Sequence, residues 1–324
     1  MLKYKVGENM KIVFMGTPEF AIPSLLGLIE KNYNILAIVT QPDKPRDRGK
    51  KVKYTPVKEI ALKHNISVLQ PLNLRDESLI SHLRLLKPDI IIVIAYGKIL
   101  PKEILKIPKS GCVNVHASLL PAYRGAAPIN WAIINGEKKT GVTTMYMDTG
   151  LDTGDIILKK EIEISDDMTA GQLHDLLANL GKELLLKTLE DIKQNKVNRI
   201  AQDHSKESYA PMLTKDVGII NWNHSAKSIV NLVRGTNPWP GSYTFLKGKK
   251  MKIWKTSIYE VQDGSGKPGI ILDYIKNLGW IVKTGKGLIA IEEIQMPSGK
   301  KMSVDSYIRG HDVNIGTVLG EGGC

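Results

Sequence analysis

The sequence predicts an α/β protein built on a doubly wound, mostly parallel sheet, followed by a small all-β domain. Three observations predict it. Between residues 11 and 164, short apolar runs rich in Val and Ile alternate with segments of helical period, the pattern of βαβ units. The run at 89–95 (DIIIVIA) is apolar almost throughout, as a strand covered on both faces must be. From residue 243 onward the helical period gives way to five strand-like runs punctuated by Gly and Pro.

In order, residues 11–15 (KIVFM) form the first strand and Gly16 turns the chain. Thr17 is placed to cap a helix, with Pro18 at its first position and Glu19 in its first turn. Ala21, Leu25, Leu28 and Ile29 supply its apolar face, and residues 34–40 (NILAIVT) give the second strand. This opening lacks G-x-G-x-x-G, which argues against a nicotinamide cofactor. Residues 41–55 read as a long loop without apolar period, and loops of that length are functional or disordered. Helices at 56–64 and 75–86 flank a short strand at 67–70. After the 89–95 strand comes one carrying Asn114 and His116, then a helix at 126–135 and strands at 142–147 and 156–164. A long amphipathic helix at 169–194, with Thr169 as its N-cap, closes the first domain. Residues 1–9 read as an N-terminal extension, 10–198 as the catalytic domain and the polar run 199–209 (RIAQDHSKESY) as a linker. The second domain, 210–324, opens with a helix at 225–234 and a turn at 237–241. Its strands at 243–246, 250–258, 268–273, 280–284 and 288–296 fit a small barrel of the oligonucleotide-binding (OB-like) type.

Composition narrows the function classes. At 324 residues the chain suits two domains. The longest apolar run falls far short of the ~20 residues a membrane helix needs. Residues 1–9 lack the apolar stretch of a signal peptide. Two cysteines make a disulfide framework improbable and fit the cytoplasm. The scattered His and Cys show no metal-ligand spacing, so no metal is expected. The formal charge of +12 is concentrated. Residues 43–53 (DKPRDRGKKVK) hold six basic and two acidic residues, and 247–255 (KGKKMKIWK) hold five basic and none acidic. Two such patches predict a polyanionic partner, nucleic acid first, with Arg48, Lys50 and Lys51 in one patch and Lys249, Lys250 and Lys252 in the other.

The chemistry gathers at the middle of the chain. Asn114 and His116 are two apart on a strand and therefore share a face at its end, where open α/β sheets form their ligand crevices. About thirty residues on, 148–155 (DTGLDTGD) bring carboxylates to the end of another strand. On sequence alone Asp148, Asp152 and Asp155 compete, and Asp148 and Asp155 are discounted because the first sits before the turn and the last opens the next strand. An amide suits a developing oxyanion, and a carboxylate beside an imidazole favours its charged form and fixes its orientation.

The strand-end N-x-H, then SLLPAYRGAAPINWAI and MDTGLDTGD, resemble the 10-formyltetrahydrofolate-dependent formyltransferases from residue 10 to about residue 310. The match is specific at the centre and looser in the C-terminal third. YRGAAP at 123–128 resembles the branch that acts on tRNA rather than the shorter glycinamide-ribonucleotide enzymes. The resemblance implies a Rossmann-like catalytic domain in which Asn114, His116 and Asp152 carry catalysis and Ser118, Leu119, Leu120 and Pro121 contact the folate. It implies 10-formyltetrahydrofolate as formyl-donor co-substrate and the α-amino group of methionine on initiator methionyl-tRNA as acceptor; no protein partner is inferable from the sequence, so a monomer is the expectation. A formyl group already activated on folate needs no covalent nucleophile. The loop at 41–55 matches an insertion that contacts the acceptor arm, with Arg48 in the leading role. Asp47 stands where a neutral residue is more usual and trims the local potential. Arg124 is a substrate contact or a structural one; both stay open. The alternatives are a related enzyme acting on a sugar nucleotide or hydrolysing the cofactor, and a non-catalytic RNA-binding protein on the same fold.

Overall fold

The structure, a computed structural model, describes residues 10–46, 51–260 and 265–321. The chain forms two compact units, one of residues 1–128, 139–163 and 174–210, the other of residues 129–138, 164–173 and 211–324.

The first unit holds a seven-stranded sheet. Its strands are β1 (Lys11–Gly16), β2 (Asn34–Val39), β5 (Val68–Leu69), β6 (Ile90–Ile94), β7 (Cys112–His116), β9 (Lys139–Tyr146) and β10 (Ile156–Glu163). Two short strands, β3 (Lys44–Arg46) and β4 (Lys51–Lys53), lie off it, as does β8 (Arg124–Gly125), which pairs with β11 (Tyr209–Ala210). The order is β10-β9-β7-β6-β1-β2-β5, so the sheet winds outward in both directions from β1. From β5 to β7 every pair is parallel; β9 and β10 close that edge antiparallel. β6 is buried along its whole length, as its unbroken β-branched sequence demands.

Strand β7 shows how the alternation of side chains sets up a site. Val113 and Val115 face one side, where the long helix Ala170–Lys193 crosses. At Gly181 of that helix a Cβ would lie 3.1 Å from Val115 Cγ1, a tight contact that a larger residue would make only by shifting the valine, so glycine favours this close approach. A buried Thr144–Thr188 hydroxyl pair at 2.8 Å adds a polar contact between the same helix and β9. Asn114 and His116 consequently face the other side. The helix begins with a reciprocal cap: Thr169 Oγ1 accepts from the Gln172 amide at 3.3 Å, and Gln172 Oε1 accepts from the Thr169 amide at 2.9 Å.

Several expectations are corrected here. Thr17 does not cap a helix: its hydroxyl donates to the Tyr96 carbonyl at 3.3 Å and accepts from the Gln41 amide at 3.4 Å, joining strand ends. A 3-10 turn at Glu19–Ala21 intervenes, and the helix runs over Ile22–Glu30. Within the stretch 41–55, read as a long loop, the described residues include two short strands, β3 and β4, which pair antiparallel, Lys44 with Lys53 and Arg46 with Lys51. The base of this hairpin is fastened by a Thr40–Thr55 hydroxyl pair at 2.8 Å and by an Asp43–Lys58 ion pair. Gln70 braces both partners, donating to Asp43 at 2.9 Å and accepting from Lys58 at 2.7 Å. The run 199–209 packs within the first unit: Ile200 bridges to Ile156, and Gln202 is buried.

The second unit is built on an antiparallel sheet of β12 (Ser242–Leu246), β13 (Lys249–Tyr259), β14 (Ile271–Ile275), β15 (Gly279–Lys283), β16 (Leu288–Gln295) and β17 (Met302–Ser303). The order is β12-β13-β16-β15-β14, with β17 also on β16. The strand expected at 268–273 begins later, because residues 267–270 form a turn with Gly269 at φ 91°. Helix Ala226–Gly235 lays Ile229 and Val233 on a core of Met251, Ile253, Trp280 and Ile291. Its Arg234 is buried, with donors on the carbonyls of Ser165 and Met168 and on Asn231.

Candidate active site

The carboxyl end of β7 brings Asn114 and His116 against the loop of residues 148–155. Both are buried but not sealed, at 8% and 6% exposed. Of the three competing carboxylates, the fold selects Asp152. Asn114 Nδ2 donates to Asp152 Oδ1 at 3.3 Å, and His116 Nδ1 lies 3.6 Å from Asp152 Oδ2. Asp148 instead accepts from the Gly150 amide at 3.0 Å and the Thr153 hydroxyl at 2.6 Å, closing its own turn. Asp155 is a backbone partner of Tyr146.

The imidazole is oriented from its far edge. His116 Nε2 lies 2.9 Å from the Tyr123 carbonyl, which can only accept, so Nε2 carries a hydrogen. Nδ1 then faces the carboxylate, and a proton gained there points at Asp152. Tyr123 presents its carbonyl from a left-handed conformation, φ 60°, and its amide is tied to the Ser208 hydroxyl at 2.9 Å.

Asp152 is itself left-handed, φ 53°. The Gly125 amide donates to its Oδ2 at 2.9 Å. Gly125, at φ 113°, runs so close to β11 that a Cβ would lie 2.8 Å from the Ala210 carbonyl oxygen, so both conformation and space require glycine there. The main chain of Asp152 is held by Gln202, whose Nε2 donates to the carbonyls of Asp152 and Gly154, each at 2.8 Å. Gln202 belongs to the stretch read as a linker. Its role was hidden in the sequence because its partners are 48 and 50 residues away. Arg124 offered the only signal, as a charge in an apolar segment that must find partners when buried.

The segment Ser118, Leu119, Leu120 and Pro121 is braced by the fold. Ser118 Oγ donates to the Ala122 carbonyl at 2.6 Å, the Leu120 amide donates to Thr143 Oγ1 at 3.2 Å, and Lys159 Nζ donates to the Leu120 carbonyl. Burial holds the Lys159 ammonium below its ordinary pKa. Ser118 and Leu120 are buried, while Leu119 and Pro121 keep partial exposure. Elsewhere on this unit Thr149, on the Asp152 loop, lines a cavity of about 850 Å³ with Leu72, Ile99 and Leu100.

Of the basic residues singled out in the sequence, Arg48 and Lys50 lie outside the described residues, and Lys51 opens β4. In the second unit Lys250 and Lys252 share one face of β13. Lys250 Nζ sits 3.4 Å from the Tyr243 ring centre and Lys252 Nζ 5.1 Å from that of Trp254. Lys249 is exposed at the start of the strand, opposite Leu246.

Known proteins match this architecture along nearly its whole length. Residues 10–189 match the formyl transferase family, and residues 212–312 match the formyl transferase C-terminal domain. The methionyl-tRNA formyltransferase of Acetivibrio thermocellus is 58% identical over 312 residues, covering 96% of this chain and 100% of that protein. Its counterpart in Clostridioides difficile is 54% identical over 311 residues, with 96% and 100% covered. Among solved structures, the N-formyltransferase of Helicobacter canadensis, in complex with folinic acid and dTDP-3-aminofucose, is similar in fold. It has a TM-score of 0.67 at 21% identity, covering 90% of this chain and 100% of that one. HypX of Aquifex aeolicus, in complex with tetrahydrofolic acid, gives 0.63 at 17% identity over 95% of this chain and 50% of that one. With both domains matched and more than half of all residues shared with full-length relatives, the chain belongs to the methionyl-tRNA formyltransferase family.

Proposed function

We infer that the protein transfers the formyl group of 10-formyltetrahydrofolate to the α-amino group of methionine on initiator methionyl-tRNA, a reaction of the cytoplasm. The observation that carries this reading is the convergence of Asn114, His116 and Asp152 at one strand end, in a chain 58% identical to a protein of that name.

The site suits a folate formyl donor. Its three polar side chains are largely buried without being fully sealed, and the loop that carries Asp152 also contributes Thr149 to a neighbouring cavity of a size that takes small ligands, with Leu72 and Ile99 at 84% and 69% exposure on its walls. Leu119 and Pro121 are the members of the 118–121 segment open to a ligand; Ser118 and Leu120 shape it from beneath. The donor supplies an activated formyl carbon, and the chain's residues do the rest. Asn114 has one amide hydrogen on Asp152 and a second to offer the formyl oxygen as negative charge develops there. Such a donor is worth about 3 kcal/mol. As the new C–N bond forms, the amine must lose a proton; the His116–Asp152 pair takes it and returns it to the departing folate nitrogen, so no net proton remains on the enzyme. Asp152 stabilises the imidazolium that exists between those two transfers.

The tRNA is read by charge on both units. The β3–β4 hairpin carries Lys44 and Lys53 at its base, in a stretch whose sequence also holds Arg46, Arg48, Lys50 and Lys51, and Lys249, Lys250 and Lys252 add a second, sequence-independent contact. We read the second unit as an OB-like platform for this contact. An acceptor panel tests the whole reading: 10-formyltetrahydrofolate with initiator methionyl-tRNA, with an amino-sugar nucleotide, and with water alone. Formyl-methionyl-tRNA is the expected product; consumption of the donor equally without tRNA would replace this reading by a hydrolase.

A further inference from the structure

We propose that Arg124 and Gln202 form a positioning clamp that fixes Asp152 for catalysis. The proposal rests on the functional reading above and assigns Arg124 to the interior of the enzyme rather than to its substrate. The dipeptide Arg124-Gly125 reaches Asp152 by two routes. Gly125 donates its amide to the carboxylate at 2.9 Å. Arg124, 1% exposed, grips Gln202 Oε1 with Nε at 3.2 Å and Nη2 at 2.7 Å. Its other contacts are an ion pair with Glu207 and His204 Nδ1 at 3.2 Å from Nη2, so its charge is paired inside the unit.

A guanidinium only donates, so the oxygen of the Gln202 amide must face Arg124. The NH₂ is thereby forced toward the loop, where its two hydrogens meet the carbonyls of Asp152 and Gly154. This matters because Asp152 occupies a left-handed conformation, φ 53°, which Asp tolerates better than most residues but which is disfavoured against ordinary conformations unless neighbouring contacts hold it. Released from Gln202, the backbone would relax toward ordinary conformations and carry the carboxylate away from Asn114 and His116. Neither Arg124 nor Gln202 touches reacting atoms; both act through Asp152.

Gln202→Glu is the informative variant. It keeps a carboxylate for Arg124, yet turns an oxygen onto two carbonyls that had accepted hydrogens. Displacing a reacting group by even 1 Å lowers turnover about 10²-fold, so kcat should fall by about 10- to 100-fold, with KM for tRNA and donor within about twofold. In an Asp152→Asn background the same change should cost less than about twofold, because the group it positions is already disabled. A Gln202→Glu enzyme with wild-type kcat overturns the proposal, as does an equal loss in both backgrounds. Should Gln202→Glu fail to fold, Gln202→Met, which leaves Arg124 paired with Glu207, is read by the same kcat and background comparison. If Asp152→Asn alone leaves turnover intact, the functional reading fails with it; if Asp152→Asn is impaired while both Gln202 variants are normal, only the clamp fails.

Discussion

Replacing Asp152 by Asn removes one charge at nearly constant shape, and the structure says what that costs. Oδ2 faces His116 Nδ1 at 3.6 Å and Oδ1 accepts from Asn114. Losing the anion that faces the imidazole, and the orientation it gives the ring, is expected to slow turnover by roughly 10²- to 10³-fold, the range of a general acid–base contribution and about 3–4 kcal/mol at about 1.36 kcal/mol per decade. There is a structural cost as well. The Gly125 amide and the Asn114 NH₂ both donate to this carboxylate, so either orientation of an Asn amide sets its own NH₂ against a donor. One such clash costs about 1–3 kcal/mol, lowering Tm by roughly 3–10 °C. Single-turnover formylation measures the first effect and thermal unfolding by circular dichroism the second. A folded Asp152→Asn enzyme turning over within a factor of about three of wild type would refute the role given to this carboxylate.

Three further expectations follow from other parts of the molecule. Changing Lys250 and Lys252 together to Ser should flatten the dependence of log K on log salt by about 1.5, with kcat at saturation retained; an unchanged slope in filter-binding titrations would mean that neither lysine neutralises a phosphate. Lys58→Met removes the ammonium that Asp43 and Gln70 share at the hairpin base, leaving only their own hydrogen bond, and should raise KM for tRNA up to about tenfold without altering kcat, since a tenfold change is about 1.4 kcal/mol; a kcat loss at constant KM would contradict an anchoring role. Burial pushes the Cys112 thiol up to about 12 from an ordinary 9.0. It therefore stays protonated in the folded protein while the unfolded chain ionises, so its share of stability is complete below pH 9 and declines as pH rises toward 12. Alkylation at Cys112, followed by mass spectrometry at pH 8, should be slow until denaturant is added; rapid native labelling would show the thiol to be accessible.

How much of this was legible in the sequence depended on how local the cause was. The unbroken β-branched run at Ile90–Ile94 and the apolar period of Ala170–Lys193 are patterns within single elements, and those elements form where they were expected. Asn114 and His116 were legible because strand alternation puts residues two apart on one face. Asp152 was set apart from Asp148 and Asp155 only by their positions around the turn and by the resemblance; the contacts come from the fold, where Asp148 closes its own turn while Asp152 meets Asn114. Thr17 carried every local sign of an N-cap, yet its hydroxyl joins Tyr96 and Gln41. Gln202 was the least legible of all. A Gln in a polar run resembles a linker until β8 and β11, some 85 residues apart, pair and bring Arg124 beside it. The β3–β4 hairpin escaped notice because its strands carry charge rather than an apolar alternation.

The central claim is that Asn114, His116 and Asp152 move a formyl group from folate directly to the methionine of a charged tRNA. Rapid-quench single turnover with the formyl carbon of 10-formyltetrahydrofolate radiolabelled tests it most directly. The account predicts that label leaves the folate and reaches methionyl-tRNA at the same rate, with none retained on protein, and that Asn114→Ala slows both by about 10²-fold. Label accumulating on the protein, or an Asn114→Ala enzyme as fast as wild type, would contradict it.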